Sequence, residues 1–222
     1  MSTKKIIAFT GIRSDYDLLS GLYKRLASDS EIQFGLIVEG AHLSPSYGYT
    51  VKYIEEDNLP ILAKIESLFD SNSRSSRIKS ASVLLQCVLH TVEHFDPDLI
   101  IYAGDREDAL IGALIGAYLG IPTIHFFGGD HAKDGNVDNP VRHAISKLSS
   151  VHFVSHQSHV ERLLKIGEPK NRIFCIGSPA LDKFTEEHNM GKKELLRELG
   201  MPQWEDYAIV IFHPILGDEE SS

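Results

Sequence analysis

The 222 residues carry 31 acidic against 22 basic side chains, and the net charge of −9 argues against a general nucleic-acid or lipid-surface binder, whose affinity comes from surplus Lys and Arg. Hydrophobic residues make up 42% and charged residues 24%, ordinary values for a globular chain with a sizeable core, and no apolar run approaches the ~20 residues of a membrane span. The opening stretch MSTKKIIAFTG has too short an apolar segment for a signal peptide, so a cytoplasmic location is the default expectation; Cys87 and Cys175 lack zinc-type spacing and read as buried free thiols.

Taken in order, Lys4 to Thr10 reads as a buried strand closed by Gly11, and Asp15 to Ala27 places Leu18, Leu19, Leu22 and Leu26 at helical spacing. A second strand, Ile32 to Val38, leads into EGAHLSPSYGYT, long and polar enough for a mobile substrate loop. A short strand is expected at Leu59 to Ala63. SNSRSSR (Ser71 to Arg77) reads as an exposed loop before a long helix from Ile78 to His94, which Asp96-Pro97 stops. Asp98 to Gly104 is the clearest buried strand, followed by a helix from Arg106 to Leu119 and a strand, Ile121 to Phe126, that breaks at Gly128-Gly129. Asn139-Pro140 has the chemistry of an N-cap and first helical residue, which places Arg142 and His143 in a first turn where free N–H groups favour an anion. A strand at Val151 to Ser155, a helix from His156 to Ile166, a strand at Arg172 to Gly177 and a helix after Ser178-Pro179 complete this part.

Strands alternating with helices call for right-handed crossovers, hence an α/β fold with a doubly wound, Rossmann-like parallel sheet over residues 1–185. Residues 186–222 do not fit inside it. A short helix, Gly191 to Leu199, precedes one apolar run, Tyr207 to Ile215, and one strand cannot cover both its faces. This segment is expected to be a linker helix and the first strand of a truncated second Rossmann-like domain.

In open parallel sheets ligands bind outside the C-terminal strand ends. Those ends deliver Arg13 after Gly11, Asp105 after Gly104, and His125, Gly129 and Asp130, with Asp138 and Arg142 close behind. Arginines that grip phosphate beside carboxylates that move protons suit a phosphorylated sugar. Each residue also has a plainer reading: Asp105 as a helix cap, His125 as a satisfied core histidine, Asp138 as a turn former, Arg13 as a surface charge. The G-x-G-x-x-G pattern is absent, which lowers a nicotinamide-cofactor reading.

With these residues in hand the chain resembles the hydrolysing UDP-N-acetylglucosamine 2-epimerases, in the branch serving sialic and related nonulosonic acids. The resemblance rests on TGIRSDYDLL, GAHLSPSYGYT, PDLIIYAGDRED, IPTIHFFGGD, GNVDNPVRHAISKLSSVHFVS, IGSPALDKF and FHPI, in that order along the chain. It implies one half of a two-domain architecture like that of glycosyltransferases of the two-Rossmann type. It also implies elimination of UDP across C1–C2, then hydration of a glycal, with no cofactor and no metal. By the same resemblance Asp105, Asp138 and His213 are the catalytic candidates, with Asp130 beside them, and Arg13 and Arg142 the substrate-binding ones; His125 and Gly129 at their strand end and His42 in the loop after the second strand are added to the substrate-binding set. Phe127 stands where the family commonly has glutamate, so either Asp130 takes over part of that role or the sugar differs, as a deoxy or diacetamido sugar on UDP or GDP would. The implied partner is a small nucleotide sugar, with no nucleic acid and no membrane, in a full-length homo-oligomer, dimer or tetramer. A glycosyltransferase of the same architecture and a non-catalytic nucleotide-sugar-binding domain remain the alternatives.

Overall fold

Ile6, Ile7, Ala8 and Phe9 are all buried, the requirement of a strand covered on both faces, and they alternate between two cores. They belong to β1 (Lys4–Thr10), which lies inside a seven-stranded, all-parallel sheet with β2 (Ile32–Glu39), β3 (Ile61–Ile65), β4 (Leu99–Ala103), β5 (Thr123–Phe126), β6 (Val151–Val154) and β7 (Ile173–Cys175). In this computed structural model the strand order is β3-β2-β1-β4-β5-β6-β7, so the winding reverses between β1 and β4. Residues 3–71, 73, 75–133, 137–184, 190–204 and 206–211 are described.

The helices are α1 (Arg13–Ser28), α2 (Val51–Glu56), α3 (Ser76–Phe95), α4 (Glu107–Leu119), α5 (Asp138–Leu148) and α6 (Gln157–Lys165). Ile7, Phe9, Ile100 and Tyr102 face Leu84, Val88 and Val92 of α3 and Ile111 and Ile115 of α4. Ile6, Ala8, Leu36 and Ile101 face Leu19 and Tyr23 of α1 and Ile54 of α2. Each such side chain contributes roughly 1.5–3 kcal/mol on burial, so truncating Leu84 or Ile100 to alanine should cost about 2–5 kcal/mol. Helix α4 is apolar on nearly every side and packs close to the sheet: a Cβ at Gly112 or Gly116 would stand 2.8 Å from Tyr102 Cδ1 or 2.2 Å from Thr123 Cγ2.

By its internal packing the chain divides into residues 1–185 and 186–222. In the second unit α7 (Lys192–Glu198) is the regular element among the described residues. The apolar run expected as a strand does not form one over Tyr207–Ile211. Among the described residues these join no strand ladder, and Ile209, Val210 and Ile211 are exposed, since a lone strand has no ladder for its backbone groups. Phe212 to Ile215, including His213, lie outside the described residues.

Four other expectations change. Cys87 and Cys175 are free but exposed, because one lies on a solvent face of α3 and the other on the sheet-edge strand β7. The segment after β2 is organised by two 3-10 turns, Gly40–Leu43 and Pro45–Tyr47, rather than left as an open loop. Helix α5 begins at Asp138 with Val137 before it, so Asn139 is helical and not the cap, and Arg142 falls just beyond the first turn. After Ser178 the chain forms a 3-10 helix, Pro179–Phe184, instead of an α-helix.

Candidate functional site

The turn after β4 is held by its neighbour strand. Gly104 takes φ +77°, its N–H donates to the Phe126 carbonyl at 3.0 Å, and its own carbonyl accepts from His125 Nε2 at 2.7 Å. Burial pushes the fully buried His125 down to about 3, against the opposing effect of the Gly104 bond, so the ring is neutral. With its proton on Nε2, Nδ1 accepts from Ser146 Oγ at 3.1 Å. Both ring nitrogens are spoken for inside the protein, which leaves none for a ligand; His125 supports the turn that presents Asp105.

His42 behaves alike. Its Nε2 and Nδ1 lie 3.0 and 2.9 Å from the hydroxyls of Thr10 and Thr50, it is fully buried, and burial pushes it down to about 4. It ties the segment after β2 to the end of β1 and offers no free nitrogen.

Asp105 and Arg142 form an ion pair in which the side chains are 15% and 13% exposed, so the charges are screened less than surface ones. Arg142 Nη1 also lies 3.6 Å from Asp130 Oδ2, joining the ends of β4 and β5 through one guanidinium. Asp130 Oδ1 accepts the His131 N–H at 2.7 Å and lies 3.4 Å from His159 Nε2 on α6. Asp138 is held separately: Arg77 donates from Nη1 to its Oδ1 at 3.2 Å and pairs through Nε with Glu107. Arg77, Asp105 and Glu107 line a recess of about 260 Å³ together with the apolar Ile78, Leu110 and Val137. Asp105, Asp130, Asp138 and Arg142 therefore stand around neighbouring strand ends. Arg13 does not join them; it is exposed, 3.6 Å from Asp17 and stacked over Tyr53 at 5.4 Å.

The residue after β5 shows the local strain of this site. Phe127 adopts φ +63°, uncommon for a bulky residue, and its N–H donates to the Phe153 carbonyl at 2.9 Å. Gly129 takes φ +75°, and a Cβ there would stand 2.4 Å from the His159 carbonyl oxygen, so only glycine fits. The Asn139 amide donates to the Ala132 carbonyl at 2.8 Å and its carbonyl accepts the Ala132 N–H at 3.0 Å, closing the loop ahead of α5.

Sequence reasoning missed two groups here. Arg77 sits in a tract that reads as exposed loop, yet its partners are 30 and 61 residues away. A second group is the buried carboxylate set Asp15, Glu39 and Asp108 around Gly11, where a Cβ would stand 2.2 Å from Glu39 Oε1 and 3.3 Å from Asp108 Cγ. Burial, reinforced by mutual repulsion, raises Glu39 to about 8 and lifts Asp15 well above the carboxylate range; burial raises Asp108 to about 6. The available signal was position: each ends a strand or lies in the first turn of the helix after one. Among the described residues no cluster of three or more His, Cys, Asp or Glu side chains is placed to hold a metal ion, and no helix is long and apolar enough to cross a membrane.

This sheet, with its charged strand ends, matches known proteins. The family model described as UDP-N-acetylglucosamine 2-epimerase covers residues 24–221. The chain belongs to the UDP-N-acetylglucosamine 2-epimerase family. Within it, the chain is 34% identical over 215 residues to the GDP/UDP-N,N'-diacetylbacillosamine 2-epimerase (hydrolyzing) of Campylobacter jejuni, covering 97% of this chain and 56% of that protein. It is 34% identical over 218 residues to the UDP-N,N'-diacetylbacillosamine 2-epimerase (hydrolyzing) of Legionella pneumophila, covering 98% and 57%. The chain thus spans a little more than half the length of these relatives. Among solved structures of 2-epimerases, that of Neisseria meningitidis bound to UDP-GlcNAc superposes with a TM-score of 0.71 at 16% identity, covering 80% of this chain and 47% of that one. The Methanocaldococcus jannaschii enzyme gives 0.66 at 23%, covering 80% and 46%. At these identities the two structures speak for the fold alone.

Proposed function

We propose that the protein carrying this chain is a hydrolysing 2-epimerase of a nucleotide-linked 2-acetamido sugar. The observation that carries the reading is the Asp105–Arg142–Asp130 cluster at adjoining strand ends in a chain of this family, with Asp138 held nearby by Arg77. In the proposed reaction one carboxylate takes the C2 proton as the C1–O bond to the diphosphate breaks. The electron pair forms a C1=C2 double bond and the nucleotide leaves. Water then adds at C1 while a proton returns to C2 from the other face, giving the epimerised free sugar. Asp105, Asp130 and Asp138 are the proton-handling groups and Arg142 balances charge as the diphosphate leaves. Phe127 in place of a carboxylate, together with the names of the two relatives at 34% identity, favours a diacetamido deoxy sugar over N-acetylglucosamine. Residues 1–185 are read as the N-terminal Rossmann-like domain and 186–222 as the linker helix and start of a second. A cytoplasmic homo-oligomer that needs neither metal nor cofactor goes with this reading.

The test is incubation of the full-length protein with UDP-N,N'-diacetylbacillosamine and, separately, UDP-N-acetylglucosamine in deuterium oxide. Release of UDP with deuterium at an inverted C2 is the expected result. Release without label at C2 would rule out elimination and hydration, and transfer to an acceptor with C2 unchanged would make the protein a glycosyltransferase.

A further inference from the structure

Helix α6 grips the Gly129–Asp130 turn at three points. Its first turn abuts Gly129 so closely that a Cβ would stand 2.4 Å from the His159 carbonyl oxygen. Arg162 donates from Nη1 to the Gly129 carbonyl at 2.8 Å. His159 Nε2 faces Asp130 Oδ1 at 3.4 Å, with the imidazole 14% exposed and the carboxylate 51%. The imidazole is thus held from the protein side while the carboxylate stays open to a ligand.

We propose that His159 is the positioning residue for Asp130, turning its Nε2–H toward Oδ1 so that the carboxylate stays aimed into the sugar site. The tautomer follows from the surroundings: Nδ1 is buried with no hydrogen-bond partner among the described residues, so the proton belongs on Nε2, where an acceptor waits. Burial holds His159 below the ordinary histidine range, with Asp130 pulling the other way, so the bond comes from a neutral ring at neutral pH. The other charged and titratable groups around the pair are Arg142 and His143 of α5, Arg162 and His156 of α6, and His131 next to Asp130, with Asp105 competing for Arg142. Arg142 approaches Oδ2 and the His131 backbone N–H shares Oδ1 at 2.7 Å, so His159 is the side chain that reaches Oδ1.

This inference rests on the proposed 2-epimerase reading, and two experiments separate their failures. The first needs no turnover: NMR titration of the chain should show His159 as the Nε2–H tautomer, and Asp130→Asn should lower its pKa by about half to one unit as a nearby negative charge disappears. An unchanged His159 titration would overturn the pair. The second uses the full-length enzyme. With the Nε2–H gone the carboxylate is free to turn away from the site, so in His159→Leu kcat should fall at least tenfold with KM nearly unchanged. His159→Gln, which keeps an N–H donor, should restore most of kcat. Equal losses in both variants would reduce His159 to a packing role. A full-length protein that releases no nucleotide would sink the epimerase reading while the NMR shift still decided the pair.

Discussion

Replacing Glu39 with glutamine should raise stability at alkaline pH and leave it nearly unchanged in acid. Glu39 ends β2, is 6% exposed and accepts a hydrogen bond from Ser67 Oγ; burial, with Asp108 adding repulsion, lifts its pKa from 4.5 to about 8. A carboxyl with a folded-state pKa above its unfolded value keeps its proton in the native chain and loses it in the unfolded one between those two pH values. The native state is therefore penalised progressively as pH rises from 4.5 toward 8. The 3.5-unit gap, at ~1.36 kcal/mol per unit, amounts to about 4–5 kcal/mol across the window. Glutamine has the same shape, still accepts from Ser67 and has no proton to lose. Urea unfolding of both proteins, followed by circular dichroism at half-unit steps from pH 5 to 8, checks this. The wild type should lose up to ~1.4 kcal/mol more per pH unit than Glu39→Gln. The neutral buried His42 and His125 act alike in both proteins and cancel in the comparison, whereas Asp15 and Asp108, relieved of repulsion from Glu39, act in the same direction as the substitution. Parallel stability curves would refute the argument, because they would mean that Glu39 ionises in the native chain as readily as in the unfolded one.

Asp105→Asn and Asp138→Asn in the full-length enzyme should each lower kcat by roughly 10²–10⁴ with far-UV circular dichroism unchanged; wild-type turnover in either removes that residue from the proposed reaction. Gly129→Ala should cost about 1–3 kcal/mol or more, from a φ of +75° and the 2.4 Å approach to a backbone oxygen, whereas Gly167→Ala, at φ +85° with nothing within 4 Å, should cost about 1 kcal/mol. Equal shifts in thermal unfolding for the two would contradict the clash. His125→Leu strands the Gly104 carbonyl, while the Ser146 hydroxyl still has the Arg142 carbonyl at 3.0 Å, and should destabilise by about 1–3 kcal/mol in urea titrations. Cys87 and Cys175 should both react with a thiol reagent in the native protein without denaturant, and a slow, unfolding-limited reaction at either would contradict its exposure.

The sheet was legible because each strand is an apolar run bounded by a glycine, a proline or a polar turn, and β1, β2, β4 and β5 fall where those runs lie. Asp96 stops α3 by taking φ +54° ahead of Pro97, as the Asp-Pro pair announces. Boundaries set by tertiary bonding were not legible. Asn139 has the right chemistry for a cap, but its amide is engaged with Ala132, and the helix starts one residue earlier. Pro140 loses nothing at the third helical position, since the N–H groups of the first turn have no intrahelical partner anyway. The site was half legible for the same reason. Asp105, Asp130 and Arg142 meet because strand ends adjoin, whereas the roles of Arg77, His159 and Glu39 depend on partners distant in sequence. His42 and His125 were visible as histidines near the site, but their inward bonding is a matter of burial that spacing does not encode.

The two hydrogen bonds between Asn139 and Ala132 have an evolutionary consequence. They work like a stitch that pins the start of α5 to the chain leaving β5, so Asp138 and Arg142, on either side of Asn139 in one helix, take their places through a single amide side chain. A change at Asn139 would therefore reach the ion-paired cluster without touching any of its members, which makes this amide a position where drift in sequence is felt at a distance.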